Sequence, residues 1–299
     1  MSVVTVGSFD GVHPGHRAVL DEISRRAAAA RTQSIVVTFE PHPLQVVNPH
    51  AAPPLLTPGD ERVEVLATTL VDRVVILRFD HALAGLSPEA FVREVLLARL
   101  GMTALVIGHD HGFGRGRSGD EATLRALGAE HGFPVDVVDA VDVASGHVSS
   151  SRIRRAVAGG DLDGAASLLG RRYSVSGVVG RGAGRGRTLG VPTINIGTVP
   201  PQKLLPPDGV YAVEVETRQG CFGGMMNQGG RPTFDDAART LEAHLFGFAG
   251  DLYGERVRLT WVTRLRDIRR FQSADDLAAQ LAQDGADARA ALARVQRKP

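Results

Sequence analysis

The first thirty residues constrain the fold of this chain more than any other segment. Residues 3–6 are an apolar, mostly β-branched run that is typical of a strand. A turn containing glycine follows, and residues 17–30 then carry a helical pattern. Pro14 suits the first turn of that helix, because proline has no amide hydrogen that needs a partner there. The segment therefore predicts a strand, a tight turn and a helix in direct succession.

Two histidines, His13 and His16, fall where this helix is predicted to begin. A helix N-terminus offers unpaired N–H groups and a partial positive charge, so it attracts phosphate. Imidazoles three residues apart can lie on one side of a helical turn and donate to the same phosphate chain. That geometry suits the charge that develops on an α-phosphate and a departing pyrophosphate. Metal ligation and a plain surface position stay open as alternatives, although a zinc site requires more ligands at short spacing.

Composition excludes several classes of protein. At 299 residues the chain is long enough for two domains, and 43% hydrophobic residues are ordinary for a globular protein. The net charge is only +1, so charge gives no indication of a nucleic-acid partner, and we expect none. No apolar run is long enough to span a membrane. Cys221 is the only cysteine, which excludes an intramolecular disulfide and fits a reducing cytoplasm. Neither Lys203 nor Lys298 stands in a Walker A motif, so an ATP site here would use backbone amides, His, Arg and Mg²⁺.

The two halves of the chain carry different patterns. In the first half, apolar strands alternate with helices, which predicts a parallel sheet in an α/β domain. The predicted strands occupy residues 3–6, 34–39, 73–77, 104–107 and 135–138. After residue 171, strand-like pieces recur between glycine and proline turns and predict a small antiparallel β-barrel, with a C-terminal helix after it. We expect domains at residues 1–168 and 169–299.

Three further segments of the first half are expected at one crevice with the histidines, because ligands bind beyond the carboxyl ends of parallel strands. Residues 38–43 are a proline-rich loop, and residues 108–120 are a glycine-rich loop with basic side chains. Residues 148–154 place hydroxyl groups at a helix start, with an arginine one turn later, which makes a second phosphate cradle. Taken alone, each segment also fits an ordinary turn, loop or cap.

In the second half, residues 177–195 contain closely spaced glycines, which let the backbone approach a phosphate chain. Thr193 and Asn195 are two residues apart, so on an extended strand they face the same way. Both offer neutral oxygens suited to Mg²⁺ that is already bound to ATP phosphates. A flexible loop before a strand is the alternative.

Together these motifs resemble those of the bacterial bifunctional riboflavin kinase/FAD synthetase family over nearly the whole chain. Residues 7–16 are similar to the nucleotidylyltransferase signature in its FAD synthetase form, G-x-F-D-G-V-H-x-G-H. Other first-half segments that resemble FAD synthetase motifs are residues 38–43, 108–114 and 148–154. Segments that resemble riboflavin kinase motifs are residues 177–195, 208–212, 227–234, 241–245 and 250–254. The resemblance implies a Rossmann-like nucleotidylyltransferase domain followed by a riboflavin kinase barrel.

The resemblance also implies two reactions and a set of site residues. Riboflavin would be phosphorylated to FMN by ATP, and FMN would be adenylylated to FAD with release of pyrophosphate. Glu242 would be the general base of the kinase, and His13 and His16 would be the catalytic residues of the adenylyltransferase. The residues implied at nucleotide or phosphate are Gly7, Phe9, Gly15, Ser150, Ser151, Arg154, Gly180, Gly182, Gly184 and Arg185. The residues implied to lie near the flavin are Asp110, Phe113 and Arg231. The residues implied to bind the Mg²⁺ that accompanies ATP are Thr193 and Asn195.

Two other functions stay open at this point. His111 and Gly112 stand where the family has Phe and a variable, often polar residue, so a riboflavin kinase with an impaired adenylyltransferase half is one alternative. A non-catalytic flavin-binding regulator is the other, and the presence of His13, His16 and Glu242 argues against it. The expected partners are the small molecules riboflavin, FMN and ATP, and the sequence does not set the number of subunits.

Overall fold

The structure is a computed structural model that describes residues 1–109, 119–143, 146–181, 191–197, 199–230 and 239–296. The chain divides into two compact units. The first unit consists of Met1–Ile153 and Ser167–Gly170, and the second consists of Arg154–Ala166 and Arg171–Pro299. No helix within the described ranges is both long and apolar enough to cross a membrane.

The first unit is built on a five-stranded parallel sheet. Its strands are β1 (Ser2–Val6), β2 (Gln33–Glu40), β3 (Arg73–Arg78), β4 (Met102–Gly108) and β5 (Val135–Val138). They lie in the order β3-β2-β1-β4-β5, and each neighbouring pair is parallel. The direction of strand order reverses at β1, which is the place where open α/β sheets bind ligands. The predicted Rossmann-like sheet is confirmed, with a strand at each of the five predicted positions.

Helices connect the strands of this sheet. They are α1 (Pro14–Ala30), α2 (Pro43–Val47), α3 (Asp60–Leu66), α4 (His81–Ala84), α5 (Pro88–Phe91) and α6 (Glu121–His131). A 3₁₀ turn, Pro49–Ala51, and a π-helix, Val92–Leu97, accompany them. Ile35 of β2 belongs to one apolar cluster and its neighbour Val36 to another, because successive strand residues point to opposite faces. A short hairpin, β6 (Asp142–Val143) and β7 (Gly146–His147), precedes α7 (Ser150–Ala158) and α8 (Leu162–Leu169).

The second unit contains a closed six-stranded barrel. Its strands are β8 (Ser174–Gly180), β9 (Ile194–Gly197), β10 (Gly209–Thr217), β11 (Gly220–Gly230), β12 (Arg239–Leu245) and β13 (Arg256–Arg266). They follow the order β10-β11-β12-β9-β8-β13, and every paired edge is antiparallel. The C-terminal helix α9 (Ala274–Gln296) packs Ala288 and Leu292 against Ala212 and Met225. The predicted barrel and the predicted C-terminal helix are both confirmed.

The barrel interior also contains polar groups. Gln228 is fully buried, accepts a hydrogen bond from Trp261 Nε1 at 3.1 Å and donates to the Pro206 backbone oxygen at 2.6 Å. The Trp261 and Tyr173 rings are stacked, with their centroids 5.6 Å apart. Because buried polar groups are costly unless they are paired, this satisfied network fixes the segment around Pro206 at one end of the barrel.

Candidate active sites

The loop between β1 and α1 has a strained backbone. Phe9 and Val12 have φ angles of 47° and 41°, a region that residues with side chains, and β-branched residues above all, rarely adopt. Gly11 has a φ of 87°, which costs a glycine little. Phe9 and Val12 are both buried, so packing holds them in this conformation. Backbone strain of this kind persists only where the surrounding structure imposes it, and it is concentrated at functional sites.

The two predicted histidines meet at the start of α1. His13 is the N-cap residue, is only 7% exposed, and accepts a hydrogen bond at Nδ1 from the His16 backbone N–H at 3.3 Å. A neutral imidazole that accepts at Nδ1 carries its proton on Nε2, so His13 is set up as an Nε2 donor. The two rings are stacked with centroids 3.7 Å apart, and the Phe9 ring contacts His16 edge-on at 5.2 Å.

Glycines at positions 7 and 15 make this packing possible. A Cβ atom at Gly15 would lie 3.2 Å from Cε1 of His13, and one at Gly7 would lie 3.1 Å from Cε2 of Phe9. Contacts this close would force the rings to shift. Gly7 and Gly15, both predicted at the nucleotide or phosphate, therefore allow the backbone to approach the aromatic rings of the loop.

Helix α7 begins beside the same loop. Ser150 Oγ donates a hydrogen bond to the Asp10 backbone oxygen at 2.9 Å, which ties the helix start to the loop that carries His13. The capping hydroxyl is that of Ser149, whose Oγ accepts from the Arg152 backbone N–H at 3.4 Å. Ser151 is exposed, and Arg154 follows one turn later in the helix.

Asp10 was not among the predicted site residues, yet it organises this loop. Its carboxylate is 1% exposed and accepts hydrogen bonds from the backbone N–H groups of Leu56 and Thr57, both at 2.9 Å. The Thr57 hydroxyl in turn accepts from the Gly11 backbone N–H at 2.8 Å. These partners are 46 or 47 residues apart in the sequence, so no local pattern indicates the contact.

On the barrel, three polar residues of neighbouring strands stand opposite one another. Asn195 of β9 pairs with Glu242 of β12, and Glu242 pairs with Asn227 of β11. Directly opposed residues put their side chains on the same face, with roughly 4.5–5.5 Å between Cβ atoms. The adjacent residues Leu241 and Ile196 are buried, so the row of Asn195, Glu242 and Asn227 faces away from the barrel interior. We call these three residues the polar row; Asn227 was not among the predicted site residues.

The surroundings of Asn195 fit a cation bound to phosphate. Asn195 Oδ1 is buried and has no hydrogen-bond partner among the described residues, although buried polar atoms are normally paired. A neutral amide oxygen is a ligand that hard cations accept. Gly180 of β8 opposes Asn195 on the other side, and a Cβ atom there would point into open space. Thr193 lies just before β9 rather than within it.

A pocket of about 290 Å³ lies on the outer face of the barrel, against α9. Met225 and His244 oppose each other across β11 and β12, two residues along from Asn227 and Glu242, and both line the pocket. The rest of the lining is Val191, Phe246, Ala278, Leu281, Ala282, Gly285 and Arg289. His244 Nδ1 donates to the Pro192 backbone oxygen at 2.8 Å, and the Arg289 guanidinium lies 3.9 Å from the Phe246 ring centroid. Most of the lining residues are apolar, His244 and Arg289 add polar groups, and the pocket adjoins the polar row.

Six predicted site residues lie outside the described part of the chain, namely Asp110, Phe113, Gly182, Gly184, Arg185 and Arg231. Within the described part, no group of three or more His, Cys, Asp or Glu residues is placed to hold a metal ion.

Comparison with known proteins gives matches to both halves of the chain. The FAD synthetase family model matches residues 1–152, and the riboflavin kinase family model matches residues 169–292. The bifunctional riboflavin kinase/FMN adenylyltransferase of Escherichia coli strain K12 is 38% identical, over 96% of this chain and 91% of that protein. The protein of the same name from Listeria monocytogenes is also 38% identical, over 98% of this chain and 93% of that protein.

A solved structure matches as well. The crystal structure of a macrolide-efflux protein from Streptococcus pneumoniae has a TM-score of 0.83 and 32% identity, and the match covers 95% of this chain and 92% of that one. The match extends over both the α/β fold and the barrel fold. With a family model matching each half and relatives this similar over nearly its whole length, the chain belongs to the bifunctional riboflavin kinase/FMN adenylyltransferase family.

Proposed function

We propose that this bifunctional riboflavin kinase and FMN adenylyltransferase carries out its two reactions at two separate sites, within domains at residues 1–168 and 169–299. The observation that carries the proposal is that site residues predicted for each reaction lie next to each other, those of the adenylyltransferase in the first unit and those of the kinase in the second. His13 stacks on His16 at the start of α1, and Glu242 opposes Asn195 on the barrel. The single cysteine suits a reducing cytoplasm, where we place both reactions.

At the first site, a phosphate oxygen of FMN attacks the α-phosphorus of ATP, and the bond to the departing pyrophosphate breaks. The reaction needs alignment and charge stabilisation but no protein nucleophile. His13 and His16 donate hydrogen bonds to the phosphate oxygens, and the N-terminus of α1 adds its partial positive charge. Residues proposed to shape or hold the phosphates are Gly7, Phe9, Gly15, Ser150, Ser151 and Arg154. Asp110 and Phe113 are proposed to lie near the flavin.

At the second site, the γ-phosphoryl group of ATP passes to the ribityl 5′-hydroxyl of riboflavin. Glu242 accepts the hydroxyl proton as the new oxygen–phosphorus bond forms, while the bond between the γ-phosphorus and the β-phosphate oxygen breaks and ADP leaves. Asn195, together with Thr193, would hold a Mg²⁺ ion, which when bound neutralises charge on the ATP phosphates. Residues proposed to hold the phosphates from the glycine-rich segment are Gly180, Gly182, Gly184 and Arg185, and Arg231 is proposed near the flavin.

The pocket beside the polar row suits the flavin ring. It is lined mainly by apolar side chains, and its volume of about 290 Å³ is near the lower end for small-molecule sites. A ring bound between Met225 and α9 would direct its ribityl chain along the same face toward Glu242, because His244 and Glu242 are two residues apart on β12. The ring would then be buried while the reacting hydroxyl lies at the polar row.

Incubation of the full chain with riboflavin, ATP and Mg²⁺ should give FMN first and FAD later, with one pyrophosphate released for each FAD. Chromatographic separation of the three flavins, with a coupled pyrophosphate assay, measures both reactions at once. FMN that accumulates without FAD would support the alternative of a kinase with an impaired adenylyltransferase half. Flavin binding with neither product would support the regulator instead.

Asn195→Ala should raise the Mg²⁺ concentration needed for half-maximal riboflavin phosphorylation about 10- to 100-fold, the range typical when one group of a metal site is lost. Titration of Mg²⁺ at saturating ATP and riboflavin measures the change. Asn195→Asp keeps an oxygen at the same position and serves as the control, and adenylylation of supplied FMN should not change in either variant. An unaltered Mg²⁺ dependence in Asn195→Ala would contradict the ligand role.

A further inference from the structure

Arg62 of α3 lies buried beneath two loops of the adenylyltransferase site, with 2% of its side chain exposed. Its Nη1 donates a hydrogen bond to the Ser8 backbone oxygen at 3.1 Å. Its Nη2 donates to the Phe39 backbone oxygen and to Glu40 Oε2, each at 2.8 Å. Ser8 follows β1 and leads into the loop that carries His13, whereas Phe39 and Glu40 end β2. One guanidinium group therefore connects the carboxyl ends of two neighbouring strands.

Stability alone does not explain a charge at this position. Burial lowers the pKa of the Arg62 guanidinium, and the carboxylates of Glu40 and Asp10 oppose that shift. The buried Nε of Arg62 has no hydrogen-bond partner in the described part of the chain. The Glu40 side chain is 45% exposed, so solvent screens the attraction between the Arg62 guanidinium and the Glu40 carboxylate. Buried ion pairs can often be replaced by apolar residues of similar volume without loss of stability.

We propose that Arg62 is a positioning residue for adenylyl transfer. The Ser8 carbonyl that it holds also accepts a hydrogen bond from Thr38 Oγ1 at 3.2 Å, so this carbonyl is fixed from β2 as well as from α3. Ser8 directly precedes Phe9, the first residue of the strained turn that leads to the histidine stack. By binding the backbone oxygens of both Ser8 and Phe39, Arg62 fixes the loop between β1 and α1 against the proline-rich loop of residues 38–43.

The hydrogen-bond pattern explains why arginine suits this position. Two different nitrogens of the planar guanidinium reach the backbone oxygens of Ser8 and Phe39, which a single ammonium nitrogen cannot reproduce with the same geometry. Arg62 acts through the main chain of the loops, so its loss should displace the groups that align the reactants. Small displacements of that kind lower the rate of the chemical step more than they weaken binding.

Arg62→Met, which keeps a long side chain but removes the charge and every donor, tests the proposal. We expect kcat for FMN adenylylation to fall roughly 10- to 100-fold, with a smaller change in the KM for ATP. Riboflavin phosphorylation by the same protein should stay at the wild-type rate, because the barrel lies in the other unit. Arg62→Lys should recover part of the lost kcat. Arg93→Met, at an exposed arginine paired with Glu89 and Glu94, is the matched control and should change neither reaction.

Thermal unfolding of each variant separates positioning from folding. Adenylylation at the wild-type rate by Arg62→Met would overturn the proposal, as would a change in the KM for ATP alone or a loss fully accounted for by unfolded protein. If Arg62→Met does not fold, Arg62→Lys decides, since a wild-type kcat in that variant would show that the two-nitrogen contact is not needed.

Discussion

Glu242→Gln should lower kcat for riboflavin phosphorylation by about 100- to 10,000-fold, the range that general acid–base catalysis contributes. Glutamine keeps the size of the side chain and its place opposite Asn195 and Asn227, but it cannot accept the hydroxyl proton. ATP and riboflavin should bind with nearly unchanged affinity, because the interaction that is lost forms only in the transition state. Single-turnover phosphorylation and equilibrium binding of riboflavin, measured on the same preparation, test both parts of this expectation.

A matched variant separates this effect from a general change in barrel charge. Glu216 is another glutamate on the outer face of the barrel, on β10, where it lies 3.6 Å from Arg258. Glu216→Gln should leave both reactions unchanged. If Glu242→Gln phosphorylates riboflavin at the wild-type rate, Glu242 is not the base, and its place in the polar row would be structural.

The second large effect is expected at His16. His16→Ala should reduce FAD formation from FMN about 100- to 1,000-fold, the cost typical of losing one preorganised hydrogen-bond donor. The loss should appear in kcat, because the histidine acts on charge that develops as pyrophosphate leaves. Riboflavin phosphorylation by this variant should be unaffected. Measuring FAD formation from supplied FMN isolates the adenylyltransferase step.

Two further variants make this result specific. His16→Gln keeps a neutral donor and should retain more activity than His16→Ala, whereas His81→Ala, at an exposed histidine of α4, should have no effect. Removal of the His16 ring also removes the stacking partner of His13, so the glutamine variant shows how much of the loss arises from the donor. Stoichiometric zinc in the wild type that disappears in His16→Ala would favour metal ligation over phosphate binding.

The features that could be predicted from the sequence are those with a local cause. Strand and helix periodicity located the five strands of the parallel sheet, and the spacing of His13 and His16 placed both at the start of one helix. The extended strand expected at Thr193 and Asn195 corresponds to β9, Ile194–Gly197, which contains Asn195. Thr193 lies one residue before this strand, so the prediction that Thr193 and Asn195 share one face of a strand holds only for the position of Asn195.

The features that could not be predicted depend on contacts between distant segments. Arg62 and its acceptor Ser8 are 54 residues apart, and Asp10 and Thr57 are 47 apart. No periodicity connects such positions, because their contact arises only when the loops after β1 and β2 are brought together by the sheet. The same holds for Asn227, which joins Glu242 and Asn195 through the pairing register of β11, β12 and β9.

The polar row has a consequence for how such enzymes can diversify. Its spacing is set by backbone pairing between β9, β12 and β11, three strands of a closed barrel. Segments that join the strands can therefore change in length without changing the spacing of Asn195, Glu242 and Asn227. Exchange of the segment that contains Val191, which lines the pocket, would then alter which flavin is accepted, whereas the polar row would keep its spacing.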